Sequence, residues 1–154
     1  MLRGMRVASS HAQATAVIRF TIPREEIQNV MMAAVGEVLA AVMAQKAGPV
    51  GPVFSYHYRL DPKVFDFEVG VPVNAELKPT GRVIAGTLPA AKVAIATYQG
   101  GYEGLGNAWG EFNDWVIEQE LSQRESLWEC YAKGPESSPD PNTWETILFR
   151  PLAG

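Results

Sequence analysis

The sequence predicts an α+β fold made of two duplicated βαββ-type units, with an antiparallel sheet, two long helices and a central cleft. Two observations predict it. Strand and helix patterns follow one another in the same order in both halves of the 154-residue chain. Corresponding strands also end in proline, as at Pro62 and Pro135. We therefore expect one domain with repeats at about 6–77 and 82–152, a pseudo-twofold axis, and a cleft where the repeats meet.

The first half is predicted to contain strands before and after one helix. Thr21 followed by Pro23 and two glutamates predicts a capped helix start. Apolar residues then recur with a 3.6-residue period, and Gly48-Pro49 is expected to close this helix. Alternation of aromatic and polar residues predicts the hairpin that follows. The predicted strands are 6–10, 11–20, 53–60 and 65–69.

The second half repeats this order. Apolar residues at helical spacing predict a second helix between Tyr102 and Val116. The glycines at 100–106 lack the GK[ST] ending of a phosphate-binding loop, so we interpret them as the entry to this helix. The predicted strands are 82–88, 92–98, 127–133 and 143–150.

Charge and hydropathy argue against two classes of partner. The chain has 13 basic and 17 acidic side chains, and the acidic excess lies in its second half. Because no cationic cluster is present to meet phosphates, we expect no direct nucleic-acid binding. The longest apolar stretch, 30–44, contains Glu37 and is shorter than a membrane span. The N-terminus lacks the apolar core of a signal peptide, so we expect a soluble cytoplasmic protein.

Cysteine and histidine are too few for a metal cage. The sequence has one cysteine, Cys130, and two histidines, His11 and His57. This excludes a disulfide within the chain and a three-histidine zinc site, and we expect no cofactor. We interpret Cys130 as a small buried residue. His57 is expected at the surface or at a sheet edge rather than as a catalytic base.

Glu129 is the residue that the pattern singles out. It is predicted to lie in the middle of an aromatic strand, between Trp128 and Cys130. A carboxylate there loses hydration, so it must find a partner, take up a proton or receive a cationic ligand. The alternative, with equal weight, is that Glu129 faces water on the open side of the sheet or pairs with an arginine such as Arg59.

Aromatic side chains are numerous for this length. Each one, taken alone, is more often part of a core than a ligand contact. Ring faces nevertheless attract cations by about 0.5–2 kcal/mol each, so one carboxylate among several rings predicts a pocket for a lipophilic cation. The residues are Tyr56, Tyr58, Tyr102, Trp109, Phe112, Trp115, Trp128, Tyr131 and Trp144.

Several segments together resemble a known family. They are Tyr98-Gln-Gly-Gly-Tyr-Glu-Gly-Leu105 followed by Trp109 and Trp115, Trp128-Glu-Cys-Tyr131 with Gly134-Pro135, Trp144-Glu-Thr146, Arg150-Pro151, and in the first half Ile22–Glu26, Phe65–Glu68 and Val71-Pro72. In this order and spacing the chain resembles the GyrI-like domain, also known as the effector-binding domain of AraC- and MerR-type transcription activators. The resemblance extends over nearly the whole chain.

The resemblance implies a central cleft that binds varied small molecules, often cationic or lipophilic. A strand glutamate in the position of Glu129 would meet the ligand's charge, and an aromatic residue in the position of Trp144 would stack on the ligand. Tyr56, Tyr102 and Trp109 would line the same pocket. We therefore expect a stand-alone small-molecule-binding domain that senses or sequesters an aromatic or cationic compound.

Two alternatives follow from the same resemblance. Some members of the family resemble hydrolases that open the electrophilic cyclopropane rings of DNA-alkylating toxins, and there Glu129 would be catalytic. Other members inhibit DNA gyrase through protein contact, so gyrase or a transcription activator is an alternative partner. The sequence has no helix-turn-helix pattern, which argues against transcriptional control by this chain alone.

Overall fold

The computed structural model describes residues 1–153, except the side chains of Gln28 and Leu60. In chain order its elements are β1 (Leu2–Ser9), β2 (Gln13–Pro23), α1 (Ile27–Ala44), β3 (Phe54–Leu60), β4 (Val64–Pro72), β5 (Ile84–Leu88), β6 (Lys92–Gln99), α2 (Leu105–Glu118), β7 (Leu127–Lys133) and β8 (Glu145–Pro151). The predicted α+β class, with antiparallel strands and two long helices, is confirmed.

The chain divides into two compact units. The α1 unit is His11–Ala90, and the α2 unit combines Met1–Ser10 with Ala91–Gly154. β1 therefore belongs to the unit that contains the second helix, because it pairs with β6. The compact units thus differ in range from the repeats expected along the chain, and the duplication itself stays a prediction.

In the α1 unit the strand order is β3-β4-β2-β5, and every pairing is antiparallel. The apolar face of α1 packs Ala34, Val38 and Val42 against Phe67 and Val69 of β4. All five are fully buried, so this interface removes apolar surface from water and fixes the helix on one face of the sheet.

In the α2 unit the order is β1-β6-β8-β7, again antiparallel. Phe112 and Val116 of α2 are completely buried against Ala96 of β6 and Leu148 of β8. The spacing of these helical residues follows the 3.6-residue period, as the sequence predicts. This packing places the sheet face that carries Leu148 under α2.

The predicted start of the first helix is wrong. β2 continues through Pro23, a 3-10 turn occupies Arg24–Glu26, and α1 begins at Ile27 without a side-chain cap. Thr21 is paired with Asp66 of β4, and its hydroxyl donates to that carboxylate over 3.3 Å. The ladder with β4 therefore outweighs the local capping pattern.

His57 is also not where we expect it. Its side chain is buried rather than at the surface, and its ring stacks on Phe67 with centroids 5.2 Å apart. Its Nε2 lies 3.2 Å from the Ser55 hydroxyl oxygen. His57 and Ser55 pair with β4 positions that face α1. Their side chains are therefore buried in the core between α1 and the sheet.

Candidate functional site

Glu129 lies on β7, on the sheet face that α2 covers. Its partner across the ladder is Leu148, a member of the core beneath α2. Directly opposed residues on antiparallel strands point to the same face, so the Glu129 side chain is directed toward the helix. It is partly buried.

Both carboxylate oxygens of Glu129 accept a hydrogen bond from an uncharged donor. The indole Nε1 of Trp109, on α2, donates to Oε1 over 2.7 Å. The phenol of Tyr131, two residues further along β7, donates to Oε2 over 2.9 Å. No ion pair in the described part of the chain involves Glu129, whereas Arg59 pairs with Asp61 and Asp66. The alternative of an Arg59–Glu129 pair is therefore wrong.

Burial sets the electrostatics of this carboxyl group. Loss of hydration raises the pKa of Glu129 above its ordinary value, and the hydrogen bonds from Trp109 and Tyr131 lower it in part. The same burial, with the nearby Glu129 charge, raises the pKa of the Cys130 thiol to about 12. Cys130 is thus held as the thiol and offers no nucleophile near neutral pH.

The Tyr131 ring, bonded to Glu129, begins a row of three neighbouring rings that we call the aromatic wall: Tyr131, Tyr102 and Trp144. The Tyr102 ring lies 5.7 Å from the Tyr131 ring and 4.9 Å from the Trp144 ring, centroid to centroid. The Trp144 indole is fixed by donating to the Ser138 carbonyl over 2.8 Å. Tyr102 is 37% exposed, so this wall is accessible from solvent.

The glycine-rich segment before α2 positions Tyr102. Tyr98 is buried on β6, and its hydroxyl donates to the Gly101 carbonyl over 2.8 Å. Gly100 has φ +146°, and a Cβ there would come within 2.7 Å of the Tyr98 hydroxyl. A Cβ at Gly104 would meet the same hydroxyl. Glycine is therefore needed at positions 100 and 104, where the backbone passes close to the Tyr98 phenol and the turn at Tyr102 begins.

Four of the five predicted ligand-binding residues belong to the α2 unit. Glu129 and Trp109 are in direct contact, and Tyr102 and Trp144 form part of the aromatic wall. The prediction missed the role of Tyr131, although it named the residue among the aromatics. The available signal was its spacing, because residues i and i+2 of a strand share a face.

Tyr56 lies in the α1 unit. It is paired with Glu68, whose neighbours Phe67 and Val69 face α1, so Glu68 and Tyr56 face away from that helix. Glu129, by contrast, faces the helix of its own unit. Tyr56 and Glu129 thus differ in whether they face the helix of their own unit, and a ligand contact by Tyr56 stays a prediction.

The α1 unit has an open pocket of about 530 Å³ between β2, β5 and the loop that follows β4. Its lining consists of Ala14, Thr15, Val73, Asn74, Ala75, Glu76, Leu77, Ala85, Gly86 and Thr87. This lining offers no ring surface on which a flat cation could stack. The chemistry that points to a ligand therefore lies with Glu129 and not with this pocket.

Among the described residues, no group of three or more histidine, cysteine, aspartate or glutamate side chains could hold a metal ion. Within the same range, neither α1 nor α2 is long and apolar enough to cross a membrane.

The fold is similar to several solved structures. The C-terminal domain of EcmrR has a TM-score of 0.81 and 21% identity, over 97% of each chain. EcmrR in its complex with DNA gives a TM-score of 0.82 at 20% identity, where 97% of this chain spans 57% of that one. SAV2435 bound to tetraphenylphosphonium has a TM-score of 0.71 and 12% identity, over 99% of this chain and 95% of that one. These likenesses show the fold.

Comparison at the level of sequence gives the family. No curated protein matches the chain. The family model of the GyrI-like small molecule binding domain matches residues 12–153, which include the elements β2 to β8 and every residue of the Glu129 site. The chain therefore belongs to the GyrI-like small-molecule-binding domain family, as its sequence motifs predict.

Proposed function

We propose that this domain binds lipophilic aromatic cations at Glu129, and that it acts as a sensor or a sequestering protein for them. One observation carries the proposal. The Glu129 carboxylate accepts hydrogen bonds from two uncharged donors, and it lies beside the aromatic wall. No cation among the described residues neutralises its charge.

The charge argument favours a cationic ligand. A carboxylate withdrawn from water is costly unless a positive charge or a proton compensates it. Trp109 and Tyr131 supply hydrogen bonds but no charge. A ligand cation would supply the missing positive charge. Its binding free energy would then include the recovery of part of the cost of burying the carboxylate.

The aromatic wall favours a flat or aryl-bearing ligand. Tyr102 and Trp144 form a tilted pair, with 39° between their ring planes. Such rings present apolar area for stacking, and their faces attract cations by about 0.5–2 kcal/mol each. Tetraphenylphosphonium, to which the structurally similar SAV2435 is bound, combines a positive charge with aryl groups and is a suitable probe.

The test is a thermal-shift and calorimetric titration with tetraphenylphosphonium. We expect the wild type to gain thermal stability with rising cation concentration, because only the folded state offers the site. Glu129→Gln keeps the shape and one acceptor oxygen but removes the charge, and should abolish most of the shift. Glu118→Gln also removes one negative charge, but at the exposed end of α2, and this variant should retain the thermal shift. An equal shift in Glu129→Gln and wild type would refute the proposal.

The burial of the Glu129 carboxylate favours a second candidate, hydrolysis of an electrophilic cyclopropane. A carboxylate whose pKa is raised by burial suits a general base. In such a step water oxygen bonds to a ring carbon and the strained carbon–carbon bond breaks. Glu129 accepts the water proton, and the freed electron pair passes to the conjugated carbonyl of the substrate. Glu129 then returns this proton to the substrate, which regenerates the carboxylate.

Mass spectrometry tests this candidate. Incubation of a cyclopropane-bearing DNA alkylator with the wild type should yield the product of addition of one water. Glu129→Gln should slow its formation by at least about a hundredfold, the lower range for loss of general base catalysis. Equal conversion by both proteins would exclude catalysis and leave the binding proposal standing.

A further inference from the structure

A second carboxylate, that of Glu136, adjoins the aromatic wall. Glu136 follows β7 and is exposed. Its Oε1 accepts a hydrogen bond from the Gly134 backbone N–H over 3.1 Å, which fixes the carboxylate near the end of the strand. None of the ion pairs found among the described residues includes Glu136.

Gly134 brings Glu136 and Tyr102 together. A Cβ on Gly134 would lie 2.6 Å from the Tyr102 hydroxyl oxygen and 2.8 Å from Oε2 of Glu136. These two oxygens therefore border the same small space beside Gly134, and any residue with a Cβ would fill that space. The Tyr102 hydroxyl and the Glu136 carboxylate are thus close neighbours, although 34 positions separate them in the sequence.

Tyr102 consequently lies within the influence of two carboxylates. Burial raises the pKa of its phenol, and the charges of Glu136 and then Glu129 raise it further. The Tyr102 ring contacts the Tyr131 ring, whose hydroxyl is bonded to Glu129. Two carboxylates without an ion pair among the described residues thus adjoin the aromatic wall: Glu129, partly buried, at Tyr131, and Glu136, exposed, at Tyr102.

We propose that Glu136 is a specificity-determining residue that extends the Glu129 site to elongated dications. This inference rests on the proposed cation binding at Glu129. One positive centre meets Glu129, the second meets Glu136, and the rings of Tyr131 and Tyr102 cover the linker between them. A monocation uses only the inner carboxylate.

The experiment compares alkyltrimethylammonium ions with bis(trimethylammonium)alkanes of equal chain length, over a series of lengths, by calorimetry. The wild type should prefer the dication by about three- to fivefold at the length that spans both carboxylates, the gain expected of one exposed charge pair. Because Glu136 is exposed, this preference should shrink at high salt.

Three variants separate the roles. Glu136→Gln keeps an acceptor for the Gly134 N–H and should remove the preference while leaving monocation affinity unchanged. Glu118→Gln carries the same charge change at the far end of α2 and should retain the preference. Glu129→Gln should weaken both classes of ligand.

The failures are distinguishable. If the monocation binds through Glu129 but no chain length favours the dication, or if the preference survives Glu136→Gln, this inference is overturned and the proposed function stands. If the wild type binds neither class of cation, the proposed function fails and this inference fails with it.

Discussion

The indole Nε1 of Trp109 donates to Oε1 of Glu129 over 2.7 Å, and this bond ties α2 to β7 across 20 residues of sequence. The carboxylate that we propose as the cation site thus also holds the helix against the sheet. A cation that approaches Oε1 would compete with, or add to, a bond between two elements of the fold. The proposed function therefore implies that ligand binding and the position of α2 are coupled through one oxygen atom.

The first prediction concerns the Trp109 donor. Trp109→Phe keeps a ring but removes the N–H that favours the ionised carboxylate, so the pKa of Glu129 should rise further. The pH midpoint of tetraphenylphosphonium binding should move up by about one to two pH units, which corresponds to one lost hydrogen bond to a charged group. Trp115→Phe, on the same helix, should leave the midpoint in place. Titrations at several pH values decide, and an unchanged midpoint in Trp109→Phe contradicts the coupling.

The second prediction concerns stability and pH. Because the folded pKa of Glu129 lies above the unfolded value, the folded state binds more protons between the two. The free energy of unfolding should therefore fall as pH rises through this window and level off above it. Glu129→Gln lacks this titration, so it should be at least as stable as the wild type at neutral pH. Urea denaturation between pH 4 and 8 measures the difference, and a variant that is less stable throughout would contradict it.

Secondary structure was most predictable where one periodicity acted alone. β7 runs from Leu127 to Lys133, as the alternation of its side chains predicts. The start of α1 was mispredicted because Thr21 and Pro23 serve two patterns at once. Their sequence fits a helix cap, but the ladder to β4 uses the same residues and adds several backbone hydrogen bonds. A pairing between distant strands is not visible in local sequence.

The sequence indicates the residue types of the candidate site but not their contacts. A carboxylate within an aromatic strand pointed to Glu129, and the family motifs pointed to Trp144. That Trp109 and Tyr131 donate to opposite oxygens of Glu129 depends on side-chain rotamers and on the packing of α2. The proximity of Tyr102 and Glu136 depends on Gly134, because glycine has no Cβ to separate them. Spacing along the chain encodes neither.

The third prediction concerns His57. Burial, aided by the charge of Arg24, lowers its pKa from 6.5 to about 4, so the unfolded state binds more protons between these values. His57 should therefore cost the fold stability as pH falls from 6.5 to 4, by about 3 kcal/mol in all. His57→Phe can stack on Phe67 and does not titrate, so its acid profile should be flatter over this range. Denaturation of both proteins at pH 4, 5 and 6.5 measures the slopes, and equal slopes would contradict the assignment.

The last prediction separates ligand recognition from stability with two glycine substitutions in the α2 unit. Gly134→Ala places a methyl group against the Tyr102 hydroxyl and the Glu136 carboxylate, both ends of flexible side chains. They should move aside at little cost to folding, while the displaced Tyr102 ring weakens tetraphenylphosphonium binding. Gly110→Ala, inside α2, meets nothing within 4 Å, and should raise the free energy of unfolding by about 0.5–1 kcal/mol through helix propensity. Its affinity for the cation should stay at the wild-type value. Calorimetry and urea denaturation on both variants give the two quantities, and unchanged affinity in Gly134→Ala would remove Tyr102 from the site.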